Sequence, residues 1–321
     1  MSNTMGVASN DIFGAGGGDE PATPGSFGQA PPGFRLPSDT RVGPVHLEIA
    51  DLARSIDYYT DILGLRVLDR GARHAVLAAH DSVRPLVVLD ERAGAAPAPR
   101  RGRLGLYHFA ILLPDRASLG RFVRHLAHAG VRAGSADHLV SEAFYLQDPD
   151  NLGIEVYADR PRDAWRRMGR QLMMATDPID IASLVEAAGP TAWTGMPLGT
   201  VMGHVHLHVG AIDDAAAFYS DALGFDRIVW SYPGALFLSA GGYHHHLGTN
   251  TWAGANATPA AEGEARLAEW TLEVPDAEVI ERAAESIRAR GVAVGRDAGD
   301  AVTRDPWGTQ VRLRVADPVI R

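Results

Sequence analysis

The sequence predicts an α+β fold of four βαβββ units, each a strand, a helix and about three more strands. Three observations carry this. The strand–helix–strands pattern recurs four times along the chain, as in a repeat architecture. Ser55 to Leu65 matches Ala215 to Phe225 nearly position by position, through Tyr59 and Tyr219, Asp61 and Asp221, and Gly64 and Gly224. Asp148-Pro149 and Asp305-Pro306 set the same turn before the last strand of the second and fourth copies.

The first 40 residues, with Gly14–Gly18 and Pro31-Pro32-Gly33, are too rich in Gly, Pro, Ser and Ala to bury much surface, and a flexible arm is expected. Unit one begins with the alternating strand Val45–Ile49. Its helix runs from Asp51, a plausible N-cap, to Leu63 before Gly64. β-Runs follow at Arg66–Asp69, Ala75–Ala78 and Leu86–Asp90, then a Pro/Ala/Gly/Arg linker from Gly94 to Gly102. Unit two opens at Leu106–Leu113, has a helix from Asp115 to Ala129 stopped by Gly130, and closes in a hairpin. The hairpin strands are Phe144–Gln147 and Ile154–Tyr157, around Asp148–Asn151. Residues 161–202 form a bridge with an amphipathic helix at Ile179–Ala188. Unit three starts at Gly203–Val209, has a helix at Asp213–Leu223 and closes at Gly242–Leu247. Unit four runs from Glu269–Val274 through a helix at Asp276–Arg290 to Asp305–Leu313. The expected organisation is an arm (1–40), a domain of two units (41–160), a helical linker (161–200) and a second domain of two units (201–321).

Composition narrows the function. With 321 residues, 46% hydrophobic and 21% charged, the chain can bury a large core as a soluble globular protein. A net charge of −9, with no Lys/Arg-dense stretch, argues against nucleic acid and anionic membranes. No apolar run approaches the roughly 18 residues of a membrane span. The N-terminus lacks the charged-then-apolar pattern of a secretory signal, so the expected location is cytoplasmic. With no cysteine, any metal site must use His, Asp or Glu.

Glu155 stands between Ile154 and Val156, on the opposite strand face from both. If that face is interior, the carboxylate needs a counter-charge, which a metal can supply. Taken alone, the hairpin fits a solvent-facing Glu better.

Residues 42–316 resemble the vicinal oxygen chelate superfamily of glyoxalases, bleomycin-resistance proteins and extradiol dioxygenases. The resemblance implies two vicinal-oxygen-chelate domains whose curved mixed sheets enclose cavities, with metal ligands on the first and last strands of units. The first-strand position falls on Pro44, His108, His204 and Glu269 in units one to four; the last-strand position is Glu155 in unit two and Arg312 in unit four. His108, His204 and Glu155 would make the two-histidine, one-carboxylate set of non-haem Fe(II) sites. That set requires units two and three to face each other, with one and four forming the inactive cavity. The competing pairing of one with two would need His46 or Glu48 as third ligand, and His46 lies two residues out of register.

The stretch His138 to Tyr157, with Gly105–Arg116 and Gly241–His246, is similar to the extradiol dioxygenases of the Bacillus catechol-2,3-dioxygenase type. This implies Fe(II), or Mn(II), which accepts the same ligands, with O2 as co-substrate and a small aromatic diol as substrate. It implies Tyr145 as hydrogen-bond partner of the bound phenol oxygen, His138 behind it, and His244 as the best-aligned catalytic acid/base. The family usually places its His and Glu pair in the last unit, whereas here unit two holds it. Strand alternation puts His244 and His246 on one face and His245 on the other; His206 and His208 share the face of His204 and are candidate pocket walls with His246. A surface tract that binds metal adventitiously also fits the triple histidine. The expected reaction is extradiol (meta) ring cleavage. The rivals are a glyoxalase-type metal-dependent isomerase or lyase and a non-enzymatic small-molecule binding protein; a homo-oligomer is left open.

Overall fold

A computed structural model of the chain describes residues 7–8, 11–12 and 20–317. The four units are present, and they pair across the halves of the sequence. One sheet runs in the order Asp226–Val229, Ala235–Ser239, Leu247–Asn250, Val201–His208, Arg103–Leu112, Gly153–Asp159, Ser141–Gln147, Gly134–Asp137, which joins unit three to unit two. The other runs Val294–Asp297, Asp300–Arg304, Gln310–Val315, Arg266–Val274, Arg41–Ile49, Pro85–Glu91, His74–Ala78, Arg66–Arg70, joining unit four to unit one. Within each unit the last strand lies parallel to the first, and at each seam two first strands run antiparallel. The two consecutive units of each half therefore contribute to different sheets. Long first strands rich in Val, Leu and Ile suit this central place, since each is paired on both edges.

Consecutive units are tied by a repeated device. Asp148 Oδ1 accepts from the backbone N–H groups of Asp150 and Leu152, both at 2.8 Å, and its Oδ2 accepts from the Tyr59 hydroxyl of unit one. Asp305 does the same with Trp307, Thr309 and the Tyr219 hydroxyl of unit three. Both tyrosines sit where the unit's first helix widens into a π-helical turn, at Tyr58–Ile62 and Ala216–Ala222. The sequence match around Gly64 and Gly224 is thus a match of geometry.

Two expectations change. Residues 20–40 are docked: Glu20–Pro21 pairs with Arg166–Arg167, Phe27 and Leu36 are buried, and Arg35 grips Asp226 with two hydrogen bonds of 2.7 and 2.6 Å. A few apolar anchors, the ion pairs Arg35–Asp226 and Arg167–Glu20, and backbone hydrogen bonds such as Leu36 N–H to the Gly224 carbonyl hold a segment whose composition reads as an arm; Gly14–Gly18 lies outside the described residues. The bridge between the halves is more than a linker. Besides its helix, Ile181–Ala187, it holds the hairpin of Arg166–Met168 with Gln171–Leu172, and it buries Trp165 and Met174. Among the described residues, no helix is long and apolar enough to cross a membrane.

Candidate metal centre

The site lies on the seam of the two–three sheet. Tyr145 pairs with Glu155, Glu155 with Ala110, and Ala110 with His204, so these four occupy one row across four strands. Directly paired residues share a sheet face. The small Ala110 methyl leaves room above the row, and His108 enters that space from two residues along the same strand.

The donor atoms of His108, Glu155 and His204 all lie within 4.8 Å of one another, and all three residues are buried. Glu155 Oε2 is 2.9 Å from His108 Nε2 and 3.2 Å from His204 Nε2. The His108 approach lacks hydrogen-bond geometry, so its Nε2, like His204 Nδ1, is a buried polar atom without a hydrogen-bond partner. Burial pushes both imidazoles below their ordinary pKa, only partly countered by Glu155. Burial would raise the Glu155 carboxyl, but His204 and His108 hold it well below the usual range. Neutral imidazoles and an ionised carboxylate are the forms that bind a divalent cation, and the orphaned Nε2 gives that cation a ligand to satisfy. The residues fit the metal.

The expected neighbours divide. Tyr145 and His138 line the same pocket as His108 and Glu155, and the Tyr145 hydroxyl is hydrogen-bonded to His138 Nε2. His138 Nδ1 lies 2.6 Å from the Ala175 carbonyl, which can only accept, so Nδ1 donates there and Nε2 is left to accept a hydrogen bond from the Tyr145 hydroxyl. Burial keeps the Tyr145 phenol protonated, its pKa raised well above 10. His206 also lines the pocket, opposite His108 on the neighbouring strand.

His244, His246 and His208 do not line it. His244 points at Asp159, with Nε2 3.0 Å from Oδ1. His246 turns back, its Nδ1 accepting from the Ala240 N–H at 3.2 Å, and its ring packs near Phe225 and Tyr243. His208 faces a larger polar cavity of about 600 Å³ between the sheets, and burial lowers it to about 4. The histidine that reaches the pocket is His245, beside His204 at 4.0 Å between ring centroids. The triple histidine lies in a loop between Ala235–Ser239 and Leu247–Asn250, so strand alternation could not tell which ring turns inward.

Sequence reasoning also missed the walls. Tyr107, Tyr232, Phe237 and Trp252 supply aromatic surfaces, and Met174–Thr176 of the bridge closes one side. The signal for these was absent, because they come from four separate segments with no shared spacing. Two glycines permit the close packing. A Cβ on Gly203 would sit 1.8 Å from the buried Tyr157 hydroxyl, and one on Gly248 would sit 2.8 Å from His206 Cγ.

The one–four sheet lacks the set, as the alignment of units indicates. Glu269, cross-strand from His46, is held by Arg312 Nε at 2.6 Å and Nη2 at 3.0 Å and by Gln310 at 2.5 Å.

The chain is 44% identical over 271 residues to the catechol-2,3-dioxygenase of Bacillus subtilis (strain 168), an alignment covering 84% of this chain and 94% of that protein. In structure it resembles a crystal structure described as a putative dioxygenase from Bacillus subtilis (TM-score 0.60, 14% identity, 88% of this chain and 87% of that one). It also resembles glyoxalase I from Zea mays (TM-score 0.50, 19% identity, 86% and 92%). The model of the Glyoxalase/Bleomycin resistance protein/Dioxygenase superfamily matches residues 41–156 and 201–318. With that model spanning both halves and a relative of this identity over most of its length, the chain belongs to the Glyoxalase/Bleomycin resistance protein/Dioxygenase superfamily.

Proposed function

We propose that the chain is an extradiol (meta) ring-cleaving dioxygenase that inserts O2 into a catechol-type aromatic diol. In this reading His108, His204 and Glu155 hold Fe(II), with Mn(II) the alternative. The observation that carries it is the convergence of two neutral imidazoles and a carboxylate at the base of an aromatic-walled pocket that also holds the Tyr145–His138 pair. When bound, the metal supplies Lewis acidity and the oxygen chemistry.

The chain's own residues would do the rest. The walls of Tyr107, Tyr232, Phe237 and Trp252 suit a planar ring and keep bulk water from it. Tyr145, kept protonated by burial, can turn its O–H from His138 Nε2 to a developing oxyanion on the substrate. The family resemblance aligned His244 with the catalytic acid/base; the position facing the pocket is His245, and we assign the role to it. Burial holds His245 neutral, so a ring nitrogen can take a proton from a substrate hydroxyl and return it. The name of the 44% identical relative supports this chemistry.

The test is anaerobic Fe(II) reconstitution followed by a panel of simple catechols and air. A coloured ring-fission product is expected, and none from any of them overturns the proposal. The isomerase rival calls for a second carboxylate ligand, and among the described residues Glu155 is the one carboxylate lining this pocket.

A further inference from the structure

Two of the three consecutive histidines form a directed hydrogen-bond chain that ends outside the pocket. His245 Nδ1 lies 2.7 Å from His244 Nδ1, and His244 Nε2 lies 3.0 Å from Asp159 Oδ1. The same Oδ1 accepts from the Tyr243 hydroxyl at 3.0 Å, and the Tyr243 oxygen is 2.7 Å from that of Tyr157. His244 is fully buried, whereas the Asp159 side chain remains 27% exposed.

The direction of each bond follows from the anchor. A carboxylate only accepts, so His244 Nε2 carries a hydrogen and donates it to Asp159, as Tyr243 does. In its neutral form His244 has one N–H, the one given to Asp159, and this leaves its Nδ1 with a lone pair. The 2.7 Å contact between two Nδ1 atoms needs one hydrogen between them, and only His245 can supply it. His245 is therefore the Nδ1–H tautomer, and its Nε2 carries a free lone pair. Among the described residues nothing in the protein hydrogen-bonds that nitrogen, and the ring lines the metal pocket.

We infer that Asp159 and His244 are positioning residues that fix the tautomer and ring orientation of His245, so that Nε2 faces the bound substrate as a hydrogen-bond acceptor. The catalytic use of that acceptor rests on the proposed ring cleavage; the tautomer itself does not. The logic is that of a carboxylate holding a histidine in a hydrolase triad, here extended by one imidazole so that the carboxylate sits at the edge of the fold. His244, taken from the sequence as the acid/base, thereby acts through its neighbour.

The experiment is a long-range 1H–15N correlation spectrum of the metal-free protein with labelled histidine, taken above neutral pH, with His244→Gln and His245→Gln used to assign the rings. Such spectra separate ring nitrogens that carry hydrogen from those that do not. In the unaltered protein, His245 should carry hydrogen on Nδ1 and His244 on Nε2. His245 with its hydrogen on Nε2 overturns the inference, and this reading needs no Asp159 variant to fold. In Asp159→Asn the amide can donate to His244 Nε2, so both rings should reverse. The iron-loaded variant should then lose about 10²-fold or more in kcat, the range of one acid–base group, with KM and iron content little changed. Reversed tautomers with unaltered kcat would remove the positioning role. The tautomers found as described in a protein that cleaves no catechol would count against the ring-cleavage proposal alone.

Discussion

Gly248→Ala tests the pocket wall more sharply than a change to any pocket side chain. The new Cβ would lie 2.8 Å from His206 Cγ, 2.9 Å from Nδ1 and 3.0 Å from Cδ2. Ordinary carbon contacts begin at about 3.5 Å, so the imidazole must retreat by roughly 0.7 Å or more. It has little room. Its Nε2 accepts from Asn250 Nδ2 at 2.9 Å, and the rings of His108, Tyr107 and Phe237 stand 4.9, 5.1 and 5.7 Å away between centroids. Overpacking of this kind costs about 1–3 kcal/mol. A shift of about 1 Å passed on to His108 is enough to cost on the order of 10²-fold in rate. Urea unfolding reads the first quantity, and kcat for ring cleavage at equal metal content reads the second. A Gly248→Ala variant with an unchanged unfolding midpoint and unchanged turnover would refute the argument, because His206 would then not be fixed against its neighbours.

Two further outcomes are expected. Glu155→Gln removes the carboxylate of the donor set, so iron retained after gel filtration should fall severely and turnover with it; full iron content with full turnover would end the ligand assignment. Asp148 offers a pH signature: burial, opposed by the N–H groups of Leu152 and Asp150, pushes its carboxyl up to about 7 from an ordinary 3.8. A raised folded-state pKa means this group's stabilisation is complete below about pH 4 and is lost as pH rises through about 7, by on the order of 4 kcal/mol. Asp148→Asn should cancel that part of the slope in urea unfolding measured across this window, and parallel slopes in the two proteins would refute it.

The repeat was legible because each unit carries its own local signals: an alternating strand, an N-capped helix, a glycine stop and an Asp-Pro turn. The donor set was legible because His108 and His204 hold the same place on two first strands and Glu155 sits a fixed distance past the turn. That shared place also favoured units two and three as partners, and the sheet joins them. What failed had no local period to read. His244, His245 and His246 lie in a loop, where alternation has no phase, and His244 turns instead to Asp159, 85 residues away in sequence. The aromatic walls and the docking of residues 20–40 are likewise long-range, fixed by which segments the sheets bring together.

The two sheets solve one electrostatic problem in two ways, and the difference bears on the metal. Each places a buried carboxylate at or beside its central seam, Glu269 on a seam strand and Glu155 on the strand paired next to one. An unpaired buried carboxylate is too costly to keep. Glu269 is neutralised within the chain, by the two-pronged grip of Arg312, and needs nothing more. Around Glu155 the nearest groups are the His108 and His204 imidazoles, whose pKa values burial lowers and whose ring nitrogens stand within 3.2 Å of it. That pocket is left with a negative charge, two nitrogen donors and a buried Nε2 lacking a partner. A guanidinium would close such a site to substrate; a divalent cation neutralises it while leaving coordination positions open. The same fold thus provides one buried carboxylate neutralised by an ion pair and one whose charge balance calls for a metal.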